Sequence, residues 1–297
     1  MLLIANNDDQ KVSTFVNFII GGLSGAAGQT ATHPFDVFKV RMQVSKASLS
    51  QTIRVSLKHI GIQSFYIGWT ASILRQLTYS TARLGMYTTL YDLAQGYFGR
   101  LNYPTMVSIG MLSGVVGAFV GTPTDLVLIR MVADVNLPPE KRRNYNNAIV
   151  GLIDIWKTEG TRGLWRGAVP TMTRAAIVNG TQLGTYSRAK MMLIDTGHFE
   201  EGVILQFLAA MISGLVMCTA SLPVDVAKTR IQNWNLPTKP PGIVSMMISI
   251  VQNEGVTSLW RGFLPYYCRA APNAVITMIC MDQLHRMYRE FFKPSTE

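Results

Sequence analysis

The chain has 297 residues, of which 48% are hydrophobic and only 15% charged, with a net charge of +10 and a mean hydropathy of +0.21. That balance favours one membrane domain over two soluble ones, and the surplus of cations suits anionic solutes or an anionic membrane surface. A nucleic-acid partner is not expected, because the tightest basic run, Lys141, Arg142 and Arg143, reads as a solvated loop and no dense basic stripe accompanies it.

The first twelve residues include Asp8, Asp9 and Lys11 and carry neither the apolar stretch of a secretion signal nor an Arg-rich amphipathic presequence, so any targeting is expected to lie within the fold. A long weakly charged segment follows, with small residues at Gly21, Ser24, Gly25 and Gly28, and runs into HPFDVFKVRMQ at 33–43. The spacing predicts a helix on which a neighbour packs closely, kinked where Pro34 removes a hydrogen bond. IGIQSFYIG at 60–68 closes a surface segment, and RQLTYSTARLGMYTTLY then begins a second long helix with Arg75, Tyr79 and Arg83 on one face.

The same succession comes twice more. Gly110, Ser113, Gly114 and Gly117 lead to TPTDLVLIRMV with Pro123, then to EGTRGLWRG at 159–167 and another long helix. Ala210, Ser213, Gly214 and Met217 lead to LPVDVAKTRIQ with Pro223, then to EGVTSLWRG at 254–262 and a last helix. Repeats over 11–100, 101–200 and 201–297, each a kinked helix, a short surface helix and a straight helix, predict an all-α, single-domain protein of six membrane helices around a central cavity. The apolar runs are broken by Gly, Pro, Ser, Thr or a lone charge, as suits helices that pack on one another and line a polar space.

Seven residues after Gly68, Gly167 and Gly262 stand Arg75, Arg174 and Arg269, at one depth on three helices related by the repeat. A charge in a membrane helix costs about 2.5 to 3.5 kcal/mol, so each needs a partner or a task. No acid lies within two turns on the same helix, which points to an anionic ligand, because Arg recognises carboxylates through paired charge-assisted hydrogen bonds. Snorkelling to a lipid phosphate is the other reading. The repeats then diverge, with Tyr79, Val178 and Asn273 four residues further on and Arg83, Gln182 and Thr277 after four more, unequal walls of the kind a small asymmetric ligand needs.

Pro-x-Asp-x-x-Lys, with Leu128 in place of the second lysine, together with Glu-Gly-x-x-x-x-Trp-Arg-Gly in two repeats and degenerate in the first, resembles the mitochondrial carrier family over essentially the whole chain. RQLTYSTARLGMY, PTDLVLIRM, WRGAVPTMTRA, PVDVAKTRIQN and LPYYCRAAPN are similar to its 2-oxoglutarate/malate branch. The resemblance implies a monomeric, multi-pass antiporter of the mitochondrial inner membrane that exchanges small dicarboxylates, 2-oxoglutarate for malate, without a cofactor. It implies substrate binding by Arg75, Tyr79, Arg83, Arg174, Val178, Asn179 and Arg269. A dicarboxylate/phosphate exchanger, a proton-leak carrier or a non-transporting scaffold of the same fold stay open as alternatives.

In that frame Asp125 is expected to pair with Lys228 and Asp225 with Lys39 in a matrix-side gate, while Asp36 faces Leu128 and has no lysine. On the cytoplasmic side the family's gate network is reduced to Tyr91, Lys190 and Asp282, which suggests a weak outer closure and a hydrogen bond from Tyr91 to Asp282. Trp165-Arg166-Gly167 and Trp260-Arg261-Gly262 precede helix starts, where backbone N–H groups and a cation hold phosphate; the family binds cardiolipin at such places, and packing of the tryptophans is the alternative. Cys218, Cys268 and Cys280 have no metal or disulfide spacing and read as buried thiols, and His33 and His59 as isolated. No phosphate-binding loop, metal cluster or nucleophile with its base is present, so an enzyme is not expected.

Overall fold

A computed structural model describes residues 14–45, 47–99, 101–137, 140, 142–197, 202–234 and 240–292. Asp8, Asp9, Lys11 and Lys141 lie outside the described residues, as does the side chain of His59. Long helices come two to a repeat in chain order, α1 (Thr14–Ser45) and α3 (Trp69–Phe98), α4 (Tyr103–Ala133) and α6 (Ala168–Asp195), and α7 (Val203–Gln232) and α9 (Phe263–Phe292), and pack most extensively between repeats, α3 on α4, α6 on α7 and α9 on α1. Between the members of each pair runs a short helix, α2 (Leu49–Ile60), α5 (Ala148–Leu164) or α8 (Ile243–Glu254). No strand occurs among the described residues. The six long helices have 28 to 32 residues, or at 1.5 Å per residue about 42 to 48 Å, enough to cross a bilayer with its interfaces. The spans Tyr103–Ala133 and Ile204–Gln232 are apolar enough to do so on composition alone.

Local chemistry sets the joints. Pro34, Pro123 and Pro223 sit inside α1, α4 and α7, each followed by the acidic and basic residues of its motif. The surface helices start at a Ser48 capping box in the first repeat and at an Asn147 cap in the second. Each straight helix opens on a glycine with positive φ, Gly68 at 80°, Gly167 at 82° and Gly262 at 84°. These glycines also touch the neighbouring repeat: a Cβ on Gly68 would meet Leu128 and Val132, one on Gly167 would meet Gln232, and one on Gly262 would meet Lys39.

The small-residue stripes differ in use. A Cβ on Gly117 would lie 3.0 Å from the Tyr79 carbonyl and 3.0 Å from Arg83 Cβ, so α4 presses directly on the backbone of α3. Gly114 is filled by Asn179 of α6, and Gly28 by Asn273 and Thr277 of α9, whereas Gly214 has only Tyr267 at 3.9 Å. The largest apolar cluster joins Val37 and Val40 of α1 to Leu126, Leu128, Ile129 and Val132 of α4 and Ile155 of α5, a dry seam between the first and second repeats.

Two expectations change here. Arg142 and Arg143 are not freely solvated: Arg142 Nε donates to the Leu137 carbonyl at 3.0 Å and Arg143 Nη1 to Asn233 Oδ1 at 3.0 Å, while Asp134 Oδ2 takes the backbone N–H of both Arg143 and Asn144. The loop is folded onto Asp134, which composition does not reveal. Of the cysteines only Cys218 is buried; Cys268 is exposed and Cys280 intermediate.

Candidate functional site

Below the prolines α1, α4 and α7 meet through charged groups. Lys39 pairs with Asp225, and Lys228 Nζ lies 2.6 Å from Asp125 Oδ2, with all four side chains at most 10% exposed. Ionic groups so placed are tolerable only with further hydrogen bonds, and glutamines supply them. Gln43 Nε2 donates to Asp225 Oδ2 at 3.2 Å and its Oε1 accepts from Thr229 at 2.7 Å; Gln232 Nε2 donates to Asp125 Oδ2 at 3.1 Å. Tyr266 lies under the first pair, with Lys39 Nζ 3.6 Å from its ring centroid. Asp36, with Leu128 in place of a lysine, accepts instead from Gln29 Nε2 at 2.6 Å and Arg269 Nη1 at 3.0 Å.

Above this floor Arg75, Arg174 and Arg269 line one cavity together with Asp36, Lys39, Asp125, Leu128, Asp225 and Lys228. About 490 Å³ of empty space is associated with it, part of it continuous with solvent. The absence of acids along each arginine's own helix did not leave all three without protein partners. Arg269 is held by Asp36, and Arg174 Nε stands 2.6 Å from Asp225 Oδ1 with its Nη2 donating to the Tyr266 hydroxyl at 3.0 Å. These partners come from α1, α7 and α9, beyond the reach of spacing along one helix. Arg174 Nε is thus ion-paired with Asp225, whereas the Nε–H groups of Arg75 and Arg269 are buried without an acceptor. Each such donor costs about 1 to 3 kcal/mol or more. Two such donors in one cavity, beside a third guanidinium paired with Asp225, form a cationic wall with open donor positions of the kind that the oxygens of an anion satisfy.

The remaining predicted contact residues lie outside that cavity lining. Tyr79 and Arg83 follow Arg75 by about 6 and 12 Å along α3, with Tyr79 partly buried and Arg83 exposed. Val178 packs on the cluster of Met217, Cys218, Leu222 and Tyr266. Asn179 is 3% exposed, donates to the Ala175 carbonyl at 2.8 Å and fills the notch at Gly114, so the structure gives it a packing contact with α4.

Beneath the ion pairs runs a second cyclic layer. Arg41 Nε donates to the Val132 carbonyl at 3.4 Å, Arg130 Nε to the Gln232 carbonyl at 3.4 Å and Arg230 Nε to the Gln43 carbonyl at 3.2 Å, each reaching the next repeat. Glu159 clamps Arg130 at 2.5 and 3.1 Å and Arg166 at 2.8 Å; Glu254 clamps Arg230 at 2.5 and 2.8 Å and Arg261 at 2.8 Å. Arg166 and Arg261 therefore face glutamates in this structure, not an open phosphate site. Trp165 packs on Phe119, and Trp260 Nε1 donates to the Thr219 carbonyl at 3.0 Å. In the first repeat, where the motif is degenerate, Arg41 is fully buried and bonded to Ser56 Oγ at 2.6 Å and Ser64 Oγ at 2.7 Å.

At the opposite end Tyr91 and Asp282 do not bond to each other. Asp282 pairs at 3.1 Å with Arg286 on its own helix, and both side chains are more than half exposed. Tyr91 stacks on Tyr87 with ring centroids 6.0 Å apart, and Lys190 is partly buried on α6. A partner four residues away is nearer for Asp282 than a tyrosine on another repeat.

Sequence reasoning passed over Gln43 and Gln232, although both end the quoted motif stretches nine residues after the proline, where the second repeat has Val132. It also passed over Ser72, Thr171 and Tyr266, four residues after each helix-opening glycine. Ser72 accepts from Gln29 at 2.8 Å and Thr171 from Gln232 at 3.4 Å, so this position touches the ionic layer in every repeat.

The chain matches the family model described as mitochondrial carrier protein over residues 10–98, 99–197 and 199–292. It is 42% identical over 289 residues to the Homo sapiens mitochondrial 2-oxoglutarate/malate carrier protein, covering 93% of this chain and 92% of that one. It is 40% identical over 295 residues to the Caenorhabditis elegans protein of that name, covering 96% of each. A mitochondrial citrate transporter F from Aspergillus niger is 34% identical over 281 residues, covering 92% and 89%.

Proposed function

This chain belongs to the mitochondrial carrier family, and from that premise we propose that it is a multi-pass antiporter of the mitochondrial inner membrane exchanging 2-oxoglutarate for malate. The relatives that carry this name span almost the whole chain. The observation that carries the reading at the level of chemistry is the set of three arginines in one cavity, two of them with buried Nε–H groups lacking acceptors, lined also by the residues of two ion pairs.

In this reading a dicarboxylate enters from the cytoplasmic side, where Asp282 and Tyr91 stand apart, and lays its carboxylates on two of the arginines. Tyr79 and Arg83 form an unequal wall on α3, with the phenol hydroxyl donating to a carboxylate or keto oxygen. Contacts made in the occluded state offset the loss of Lys39–Asp225 and Lys228–Asp125, the floor separates, and access passes to the matrix. The protein acts as a monomer and not as an enzyme, with no nucleic-acid partner. Cardiolipin phosphates seat at the backbone of the helix starts after Trp165 and Trp260, since Arg166 and Arg261 are engaged by glutamates.

Competition in liposomes tests this. Labelled 2-oxoglutarate uptake by the purified protein should be inhibited by external malate and by neither acetate nor phosphate. Equal inhibition by phosphate would move the assignment to a dicarboxylate/phosphate exchanger.

A further inference from the structure

Asp36 is a floor carboxylate without a lysine. Asp125 has Lys228 and Gln232, and Asp225 has Lys39 and Gln43, but Asp36 faces Leu128 and turns to Gln29 at 2.6 Å and Arg269 at 3.0 Å. Arg269 is thus occupied by a carboxylate of the protein itself. Asp225 occupies Arg174 in the same way at 2.6 Å, yet keeps an ammonium partner when that arginine leaves. Asp36 would keep the neutral amide of Gln29 as its hydrogen-bond partner, with the charges of Arg75 and Lys39 near but outside ion-pair contact.

We infer that Asp36 is a tethered competitor of substrate for Arg269. This rests on the dicarboxylate-exchange reading above and adds a source of specificity to it. With Asp36 on Arg269 and Asp225 on Arg174, the arginine ring holds two protein carboxylates, the charge pattern of a dicarboxylate. A ligand with two carboxylates replaces both, whereas a monocarboxylate replaces one and leaves the other arginine tied to the floor. Displacing Asp36 also removes the sole charged link that joins the first repeat's floor carboxylate to the arginine level among the described residues, so occupation and gate release become one event. Because only the fraction of Arg269 free of Asp36 accepts substrate, the apparent affinity is lowered by that fraction.

Two variants free Arg269 by different routes. Asp36→Asn keeps the size of the side chain and an oxygen for Gln29 but removes the charge; Leu128→Lys leaves Asp36 in place and offers it an ammonium in the floor layer. In liposomes, each should lower the KM for 2-oxoglutarate by about three- to tenfold, and each should make acetate an inhibitor where the unaltered protein ignores it. Leu128→Lys should also lower kcat, since a third bridge must break. A reduced kcat with unchanged or raised KM, in either folded variant, would overturn the inference and leave Asp36 a structural residue. Should one variant fail to fold, the other decides alone. If the unaltered protein takes up no 2-oxoglutarate, the exchanger reading falls first, an outcome distinct from normal uptake with unchanged KM in the variants.

Discussion

Arg75 and Arg269 occupy equivalent positions but differ in company. Arg75 has no carboxylate within ion-pair reach among the described residues, whereas Arg269 neutralises Asp36. Arg75→Leu removes a buried cation whose Nε–H lacks an acceptor, so exchange should be lost while the thermal unfolding midpoint in detergent holds or rises. Arg269→Leu should lose exchange and also destabilise by about 3 kcal/mol, because a largely buried carboxylate is left without its cation. Paired uptake and unfolding measurements check both. The threefold position of these arginines was legible by counting from each glycine, and so were the ion pairs of Asp125 and Asp225. The partner of Asp36 was not: Leu128 shows that a lysine is missing, but nothing along the chain places Arg269, 233 residues away, beside it. Nor does spacing along α6 show that Asn179 packs into the notch at Gly114 on α4.

At the scale of elements, the helix contacts fix where the site residues stand. Gly117→Ala would drive a Cβ to 3.0 Å from the Tyr79 carbonyl and Arg83 Cβ, atoms that cannot move without shifting α3. Such overpacking costs about 1 to 3 kcal/mol, and the displaced Tyr79 and Arg83 should raise KM for 2-oxoglutarate in the same liposome assay. The surface helix α5 is tied to α4 and to the turn that precedes α6 through Glu159. Burial pushes its carboxyl up, but hydrogen bonds from Arg130 and the charges of Arg130, Arg166 and Arg143 outweigh this and hold it below its ordinary value. A carboxyl depressed in the folded state adds stability that is complete above its unfolded value of about 4.3 and is lost as pH falls through the lower folded value. Unfolding midpoints of the unaltered protein should therefore decline below about pH 4 in part through this group, and Glu159→Gln should be less stable at pH 7 and show a shallower decline. An equal acid decline in both proteins would remove Glu159 from that role. The Glu-Gly motif marks Glu159 and Glu254 in two repeats, but nothing in its spacing pairs them with Arg130 and Arg230. In the first, Arg41 is satisfied by Ser56 and Ser64, hydroxyls that no spacing rule singles out.

For the whole molecule, the three interfaces of the floor are not alike. The second repeat meets the third, and the third the first, through buried ion pairs braced by glutamines, while the first meets the second along an apolar seam of Val37, Val40, Leu128 and Val132. Ion pairs that separate are rehydrated when the cavity opens to water, whereas an apolar seam loses roughly 25 cal/mol for every Å² exposed. Substrate binding therefore has two polar contacts to release and one hydrophobic contact to strain. The six long helices and their order were readable from the repeats, and Leu128 already marked one interface as lacking a lysine; that this interface closes as an apolar seam became visible only when Leu128 and Val132 were seen to meet Val37, Val40 and Gly68 in space. All of this presupposes obligatory exchange through the arginine ring. The most direct measurement is uptake of labelled 2-oxoglutarate into liposomes loaded with malate or with none. Uptake should require internal malate and vanish in Arg83→Leu protein that remains folded; equal uptake with and without internal malate would contradict the account.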